Sequence, residues 1–538
     1  MPLRIGAAVV LLTLVYTGAR PAGQGPAYDL LIRNGRVVDG TGSPWFAADV
    51  AIRADMIAAV GPQLDGTAAQ IIDAGNAVVS PGFIDLHVHA FGAAGPPPDP
   101  MPIVELPTAD NYIRQGVTTL IGGPDGFSPV ALKHALDGVA ATGISPNVGA
   151  FVGHGSVRQA VLGDANRPPS SAELERMRGL VRGAMTDGAF GMSTGLFYVP
   201  GVFADTTEVV ELAQVAQFHI SHMRDEAARV VDSVRENIRI GEDAGIPTQV
   251  THHKAVGKAA WGKTAETLRL IDEARQRGID VTMDVYPYTA SSTSIQAALV
   301  PAWAQEDGRE SMLARLRDPA TRRRVMNEAA QFIREERGGG DPHNVQISRC
   351  AWKPDLDGKR LDDIAVERGL TRSVDDAADT ALWLVENGGC GGIYHAIQEE
   401  DVQRVIRHSA AMIASDGGPT IFGRGVPHPR SYGTFARVLG RYVRELKILG
   451  LEDAVRKMTS FPARRIGITD RGVVRVGMKA DLVIFDPASV RDTATFESPH
   501  QYAEGVVAVF VNGVAVFENG RMTGAKPGRI LRKTDYTP

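Results

Sequence analysis

Short apolar segments alternate with amphipathic helical segments through the middle of the chain, from about residue 79 to residue 418. Eight apolar segments have the length of strands, and helical patterns such as Arg224–Ala244 and Thr264–Arg277 separate most of them. This alternation predicts an α/β fold with a parallel sheet, and eight units predict a (β/α)8 TIM barrel. The predicted strands are Gly82–His87, Thr118–Gly122, Asn147–Val152, Ala189–Ser193, Phe218–His222, Thr248–His252, Asp280–Val285 and Ala411–Ser415.

A different pattern, of short strands with tight turns, occupies both ends of the chain. Tyr28–Asp39 carries two apolar runs around Asn34-Gly35, and Val511–Val514 encloses a second Asn-Gly pair, so both segments predict hairpins. These strands predict one small β-sandwich domain formed by the N- and C-terminal segments. We therefore expect the small domain in residues 23–80 and 471–538, with the barrel in residues 81–470.

The longest break in the alternating pattern, about residues 296–349, precedes the eighth strand. Within it, Ser311–Arg337 is rich in Arg and Glu, which predicts solvent-exposed helix. We expect an insertion over the rim of the barrel. Such a charged face is compatible with a lid and equally with a simple solvated surface.

Residues 1–22 have the pattern of a secretory signal peptide. Arg4 supplies a positive charge, Ile5–Tyr16 is an apolar run too short for a typical membrane span, and small residues follow it. The alternative is an uncleaved N-terminal anchor. Export predicts a periplasmic or secreted protein with no stable membrane association after cleavage. In an oxidising compartment Cys350 and Cys390 could pair, or they could remain buried thiols.

Length and composition narrow the class of protein and of partner. A chain of 538 residues exceeds the usual size of one domain, which agrees with one large and one small domain. The formal net charge of -5 provides no basic field for nucleic acid, and an aromatic share of 6% is low for base stacking. We expect a small-molecule partner and no nucleic acid, and the pattern indicates no particular oligomeric state.

Residues that can bind metal follow the predicted strands. His87 and His89 are two apart at the end of the first strand, so their imidazoles point to one face and suit a divalent ion. An isolated His-X-His is more often part of an ordinary loop. In a barrel, however, the carboxyl ends of all strands meet at one face, where active sites lie. The other polar residues at strand ends are Asp125, His154, His222, His252, Tyr286 and Asp416.

Several segments together resemble the amidohydrolase superfamily and, within it, the D-aminoacylase (N-acyl-D-amino-acid deacylase) family. The match extends through most of the chain. The matching segments are Pro81–His89, Gly153–Arg158, Ser193–Gly201, His222–Glu226, His252–Lys254, Asp284–Tyr288, Ser415–Gly417, His428–Arg430 and Lys479–Val483.

The resemblance implies a metal-dependent hydrolase of N-acyl-D-amino acids that uses zinc, as one or two divalent ions, with manganese or cobalt as alternatives. It implies that His87 and His89 bind one metal position, and that His222 and His252 bind the other. Asp416 would contact both and act as general acid and base. The remaining implied roles are substrate binding by Lys254, Tyr286 and Ser292, and support of the ligands from behind by His154 and Arg224.

One position departs from the family pattern. The turn after the second strand reads Gly123-Pro-Asp-Gly126, and Asp125 occupies the place where the family usually has a cysteine. A carboxylate is a harder donor than a thiolate and can bridge two ions. Asp125 therefore joins the predicted ligands and favours a two-metal site.

Some of these residues also have plainer explanations. Lys254 could form a salt bridge with Glu226 or Asp225, and Tyr286 could be a packed aromatic with a satisfied hydroxyl group. His253 points to the opposite face from His252 if the strand persists, so it is left out of the ligand set.

Three rival functions are weaker. Gly191–Gly195 fits Gly-X-Ser-X-Gly, but Pro200 and Gly201 follow where a nucleophile elbow needs a helix, so we reject Ser193 as a nucleophile. A cyclic-amide hydrolase of the dihydroorotase or hydantoinase type commonly uses a carboxylated lysine on the fourth strand, and Ala189–Tyr198 contains no lysine. A catalytically dead binding homologue should have lost a ligand, and only the Cys-to-Asp exchange is found.

Overall fold

The computed structural model describes residues 26–92 and 100–536, so the predicted signal peptide lies outside the described residues. Among the residues described, no helix is both long and apolar enough to cross a bilayer. The strands are β1 (Tyr28–Val37), β2 (Phe46–Arg53), β3 (Met56–Gly61), β4 (Ala68–Asp73), β5 (Val78–Pro81), β6 (Phe83–Val88), β7 (Val117–Gly122), β8 (Asn147–Ala150), β9 (Val152–Gly153), β10 (Met192–Gly195), β11 (His219–His222), β12 (Thr248–Val250), β13 (Val281–Val285), β14 (Ser291–Ser294), β15 (Val345–Arg349), β16 (Gly391–Tyr394), β17 (Ala411–Ile413), β18 (Leu482–Phe485), β19 (Val506–Val511), β20 (Val514–Glu518) and β21 (Arg521–Met522).

Seventeen α-helices and a few irregular turns connect these strands in the described ranges. The α-helices are α1 (Pro102–Glu105), α2 (Asp110–Ile113), α3 (Leu132–Thr142), α4 (His154–Leu162), α5 (Ser171–Thr186), α6 (Thr206–Ala216), α7 (Val230–Ala244), α8 (Thr264–Gln276), α9 (Ile295–Leu299), α10 (Gly308–Arg317), α11 (Pro319–Glu335), α12 (Leu361–Glu367), α13 (Val374–Glu386), α14 (Glu399–Arg407), α15 (Arg430–Arg437), α16 (Leu451–Met458) and α17 (Ser460–Arg465). The 3₁₀ turns are Gly201–Phe203, Ala302–Gln305, Pro342–Asn344 and Pro354–Leu356, and Val438–Glu445 is π-helical.

Parallel strands form the centre of the molecule. β9, β10, β11, β12, β13 and β17 form one parallel sheet in that order, and β6, β7 and β8 form another. One residue separates β8 from β9, and a parallel bridge joins Val88 to Gly417 beyond β17. Nearly every residue of these strands is buried, as expected for a parallel sheet that helices cover. The predicted α/β alternation is confirmed, with the third predicted strand divided into β8 and β9.

The two ends of the chain share one nine-stranded sheet of order β21-β20-β19-β18-β5-β1-β2-β3, with β4 paired to β1. The antiparallel pair β5–β18 joins the N-terminal segment to the C-terminal one. β5 leads directly into β6 through Gly82, where a Cβ atom would lie 2.3 Å from the Thr118 side chain. Glycine is therefore required at the junction that connects this sheet to the strand carrying His87.

The two Asn-Gly pairs form different structures. At Asn512-Gly513, β19 and β20 form the predicted hairpin, with positive φ angles of 47° and 80°. The hairpin predicted at Asn34-Gly35 is wrong, because β1 continues through both residues and pairs with β2 on either side. The register shift there is a β-bulge that the positive φ of Asn34 accommodates. The same dipeptide forms a turn at one site and a bulge at the other. The pairing of the surrounding strands, and not the local sequence, therefore decides between the two geometries.

The insertion has its own sheet and hydrophobic core. β14, β16 and β15 form an antiparallel sheet, and helices α9 to α13 pack on it around buried residues such as Leu316 and Leu382. These elements extend over residues 291–394, which is longer than the predicted 296–349, and "insertion" below means this range. A disulfide bond between Cys350 and Cys390 joins the end of β15 to the start of β16. The pairing that the sequence left open is therefore present.

Candidate metal centre

Two histidines and two carboxylates meet where β6, β7 and β17 end. The Nε2 atoms of His87 and His89 lie 3.3 and 3.1 Å from Asp416 Oδ1, and 3.3 and 3.7 Å from Asp125 Oδ2. Backbone hydrogen bonds from Asp416 N to the His87 carbonyl and from His89 N to the Gly417 carbonyl fix the Asp416 turn against β6. We call these four side chains the first pocket.

Asp125 also belongs to a second pocket, formed with His222 and His252. His222 Nδ1 lies 3.5 Å from Asp125 Oδ1, His252 Nε2 lies 3.3 Å from the same oxygen, and the two nitrogens are 2.8 Å apart. His222 ends β11, and His252 follows β12 by two residues. Each carboxylate oxygen of Asp125 therefore faces a different pair of imidazoles, as a bridging ligand would.

The donor set fits divalent ions of the zinc type. Zinc binds imidazole and carboxylate donors at about 2.0–2.2 Å, which keeps tetrahedral donors roughly 3.3 Å apart, close to most of the separations measured here. Asp125 Oδ1 is buried and makes no hydrogen bond of good geometry, although two ring nitrogens lie near it. An orphaned buried oxygen between two histidines is the arrangement expected of a metal ligand.

Three of the pocket residues have left-handed backbone conformations. The φ angles are 55° at Asp125, 36° at His252 and 54° at Asp416. Aspartate tolerates this region better than histidine, and each such conformation costs about 1–3 kcal/mol that the surroundings must offset. At Asp125 the offset includes Ser193, whose hydroxyl group donates to the Gly123 carbonyl and accepts from Gly126 N. Ser193 therefore holds the turn that carries Asp125, which agrees with its rejection as a nucleophile.

Negative charge is concentrated in the first pocket. Burial would raise the pKa of Asp125, but His87 and His252 hold that pKa well below its usual range. Burial also opposes ionisation of Asp416, whose pKa Arg430 and the same two histidines hold far below normal. Two ionised carboxylates at one buried point need positive charge nearby; Arg430 provides part of it, and a divalent ion held in the pockets would provide more.

A cavity of about 320 Å³ opens from the first pocket toward the insertion. Its floor includes His89, Asp125 and Asp416. Its walls come from β14 to β16 and from the loop before α15. The walls include Tyr198, Ser292, Ser294, Ser348, Gly391, His428 and Arg430.

Comparison with known proteins places this centre in a known family. The model of the amidohydrolase family matches residues 70–517. The chain belongs to this family. A D-aminoacylase of Alcaligenes xylosoxydans xylosoxydans is 36% identical over 534 residues, covering 94% of this chain and 98% of the relative.

Two solved structures are similar over nearly the full length of the amidohydrolase. A crystal structure of D-aminoacylase is 35% identical with a TM-score of 0.79, covering 94% of this chain and 100% of that one. The N-acyl-D-glutamate deacylase of Bordetella bronchiseptica, solved with zinc and a phosphonate inhibitor, is 33% identical with a TM-score of 0.79, covering 94% and 99%. The chain is a metal-dependent hydrolase of linear amide C–N bonds that binds one or two divalent ions.

Two residues that the sequence analysis missed support the ligands of the amidohydrolase. Thr251 donates from its hydroxyl group to Asp284 Oδ2, 2.8 Å away, and its oxygen lies 2.7 Å from His87 Nδ1. His87 therefore donates from Nδ1, and its Nε2 lone pair faces the first pocket. Asp284 Oδ1 accepts from His252 N at 2.7 Å, which holds the left-handed backbone there. Asp284 lies near the end of β13, but the amino-acid sequence around it gives no sign that its carboxylate supports two metal ligands.

The structure gives Lys254 the plainer of its two roles. Lys254 Nζ lies 2.5 Å from Glu226 Oε1 in a buried ion pair, and Lys254 does not line the cavity. The predicted carboxylate clamp at Lys254 is therefore not what this geometry favours. Glu226 is a missed residue: it lies 3.2 Å from His252 Nδ1 and 3.8 Å from His222 Nε2, behind both ligands of the second pocket. Arg337 of the insertion lies 3.5 Å from its other oxygen.

Arg430, also missed, lines the cavity beside Asp416. Its Nη1 donates to Asp416 Oδ2 at 2.6 Å, and its guanidinium lies 4.9 Å from the Tyr286 ring centre. Ser292 lines the cavity as predicted, with its hydroxyl group donating to the Gly392 carbonyl. Tyr286 supports Arg430 from behind, and its buried hydroxyl group has no hydrogen-bond partner among the described residues.

Two predicted supporting residues lie away from the centre. His154 Nε2 lies 2.8 Å from Glu208, which also pairs with Arg158, and it makes no described contact with either pocket. Arg224 pairs with Glu236 on α7 at 2.8 Å. Both side chains follow strand ends but point into the surrounding helices. His253, left out of the ligand set, contacts Thr267 on α8.

Removing the bridging carboxylate should empty both pockets. We expect Asp125→Ala to lose most bound metal, because it removes a donor from each pocket. Asp125→Cys should retain metal and shift preference from manganese toward zinc, because a thiolate is softer. Elemental analysis after gel filtration measures the metal content of both variants. The control is His134→Ala, which removes an exposed histidine on α3. Two ions retained by Asp125→Ala would contradict the bridging role.

The Thr251 hydroxyl group should matter for binding in the first pocket. Thr251→Val removes the acceptor for His87 Nδ1–H and should weaken metal binding by about 10–100-fold. Thr251→Ser keeps the hydroxyl group and should bind nearly as wild type does. Titration with Co(II), followed by its visible absorption, measures affinity and coordination together. Identical titrations for the valine and serine variants would remove Thr251 from the ligand support.

Proposed function

We propose that this amidohydrolase cleaves N-acyl-D-amino acids, or related N-acyl amino acids and dipeptides, to a carboxylate and a free amino acid. The observation that carries the proposal is Arg430, a fixed cation at the cavity wall beside Asp416. A substrate carboxylate one carbon from the scissile nitrogen fits such a position. The D configuration comes from the relatives, a D-aminoacylase and an N-acyl-D-glutamate deacylase.

In the proposed reaction Asp416 moves the proton. A bound divalent ion supplies an activated water and a polarised carbonyl group. Asp416 Oδ1 faces His87 and His89, and Oδ2 is held by Arg430, so the carboxylate keeps one orientation. It takes a proton from the attacking water and delivers the proton to the leaving nitrogen.

Arg430 and its neighbours would bind the amino-acid end of the substrate. Arg430 Nη2 donates to the Ser292 carbonyl at 3.3 Å, and the Tyr286 ring supports its plane. This planar guanidinium replaces Lys254 as the proposed carboxylate site, because Arg430 lines the cavity and Lys254 does not.

The two alternatives receive less support. β10, Met192–Gly195, contains no lysine that could be carboxylated as in many cyclic-amide hydrolases. A dead homologue should lack donors, whereas six donor side chains converge here: His87, His89, Asp125, His222, His252 and Asp416.

We further propose that the parallel strands close into a (β/α)8 barrel and that the terminal sheet forms a small β-sandwich domain. The Val88–Gly417 bridge and the continuity of β8 and β9 support closure. A core shared by β1, β2, β18 and β19 supports the small domain. Export to the periplasm or medium follows only from the sequence of residues 1–22, and the disulfide bond is compatible with it.

Asp416→Asn should abolish turnover without emptying the site. The amide keeps the shape and one donor oxygen but cannot accept the proton, so we expect kcat to fall about a thousandfold. Hydrolysis of N-acetyl-D-amino acids and metal content are measured on the same preparation. A wild-type kcat in this variant would exclude Asp416 as the acid and base.

Arg430 should set the requirement for a free carboxylate. Wild type should prefer an N-acetyl-D-amino acid over its carboxamide, and Arg430→Met should lose about tenfold of that preference. Arg430→Lys keeps charge but not the planar fork and should lose less. Using a substrate ratio cancels the effect of freeing Asp416, which acts on both substrates. An unchanged ratio in Arg430→Met would place the carboxylate elsewhere.

A further inference from the structure

A second chamber adjoins the catalytic cavity, and the proposed chemistry does not use it. Its volume is about 160 Å³, and it shares Tyr198 and Ser294 with the catalytic cavity. The Tyr198 ring packs edge-on against His222 with centroids 4.7 Å apart, so the shared wall stands beside the second pocket. The catalytic cavity and the chamber therefore meet at Tyr198 and Ser294.

Polar side chains dominate the chamber, which makes it unsuited to a plain alkyl chain. Its polar lining consists of Gln159, Asp164, Gln296, Gln305 and Arg309. Gln296 and Gln305 hydrogen-bond to each other at 3.0 Å, so the two amides form one fixed wall.

Of the two charged side chains that line the chamber, Asp164 and Arg309, Asp164 has the weaker hydrogen bonding. Asp164 accepts one long hydrogen bond, 3.4 Å from Gln159, and forms no ion pair with any described residue. Burial and the nearby Asp307 raise the pKa of Asp164, and the hydrogen bond from Gln159 opposes them. Arg309 also forms no ion pair with a described residue, but it is exposed and donates to the Val385 carbonyl on α13 at 3.0 Å.

We propose that this chamber binds a cationic substituent of the substrate, an ammonium or guanidinium group, through Asp164. The inference rests on the proposed function and names a substrate class within it: N-acyl amino acids with a positive charge on the side chain or on the acyl group. Ser292 lies beside Arg430, and Ser294 lies two residues further along β14, roughly 7 Å away. A chain of a few atoms therefore separates the bound carboxylate from the cationic group.

Two pairs of isosteric substrates test the inference and distinguish the source of the charge. N-acetyl-D-ornithine and N-acetyl-D-norleucine differ in the side chain, as ammonium against methyl. N-(4-aminobutanoyl)-D-alanine and N-pentanoyl-D-alanine make the same change in the acyl group. We expect kcat/KM to favour the cationic member of one pair by about tenfold, the value of a charge-assisted hydrogen bond.

A matched pair of variants assigns the preference to the chamber. Asp164→Asn should bring the favoured ratio close to one. Asp307→Asn makes the same chemical change at a neighbouring exposed carboxylate outside the chamber lining, and it should keep the ratio. The ratio reports recognition rather than general stability, because both members of a pair meet the same enzyme preparation.

Four results would overturn the inference. Wild type could show ratios near one for both pairs, or Asp164→Asn could keep the preference. Wild type could instead favour N-acetyl-D-glutamate through Arg309, lost in Arg309→Gln, which would make the chamber an anion site. If wild type with zinc, manganese or cobalt hydrolyses none of these substrates, the proposed function fails and this inference falls with it. Turnover without preference defeats the inference alone.

Discussion

A single buried carboxylate organises the centre of this protein. Asp125 presents one oxygen to His87 and His89 and the other to His222 and His252, so two ligand pairs share it. Asp125 stays ionised although it is buried, because imidazoles surround it. The four imidazoles lie close enough to Asp125 to bind the same ions as its carboxylate does. A thiolate has one donor atom, whereas a carboxylate has two that diverge. A carboxylate at this position is therefore a harder bridging ligand than a thiolate, and it suits harder ions such as manganese better than a thiolate does.

Asp125 can bridge the two pairs of histidines only if the surrounding backbone is held rigidly. Three backbone conformations there are strained, and a hydrogen bond from another part of the chain stabilises each of them. Asp125, His252 and Asp416 adopt left-handed backbone conformations. Ser193 fixes the first turn and Asp284 the second, and the β6 backbone fixes the third. Burying these polar groups excludes water, so the hydrogen bonds that orient the imidazoles gain strength from the low dielectric. The insertion adds the roof of the cavity, and its disulfide bond joins the two strands that carry Ser348 and Gly391 to that roof.

The ligands were predictable because their position relative to the strands determines where they lie. A polar residue at the end of a buried parallel strand must reach the shared rim, so His222 and Asp416 could be assigned from the amino-acid sequence. Ion pairs were not predictable in this way: Lys254 meets Glu226 only because two loops converge, and Arg430 replaces it from a helix start far along the chain. His154 follows the same strand-end rule yet points into a helix layer. Likewise, the Asn-Gly signal specifies a positive φ, while strand pairing in three dimensions decides between turn and bulge.

Catalysis depends on how the side chains around Asp125 would position the metal ions. His87 and His89 would hold one ion and His222 and His252 the other, with Asp125 as a donor to both, and Asp416 lies beside the first pair of histidines. Crystals grown with manganese and measured for anomalous scattering test this most directly. We expect two anomalous peaks about 3.5–4 Å apart, one on each side of the Asp125 carboxylate. Peaks that do not contact Asp125, or that lie away from the four histidines, would contradict it.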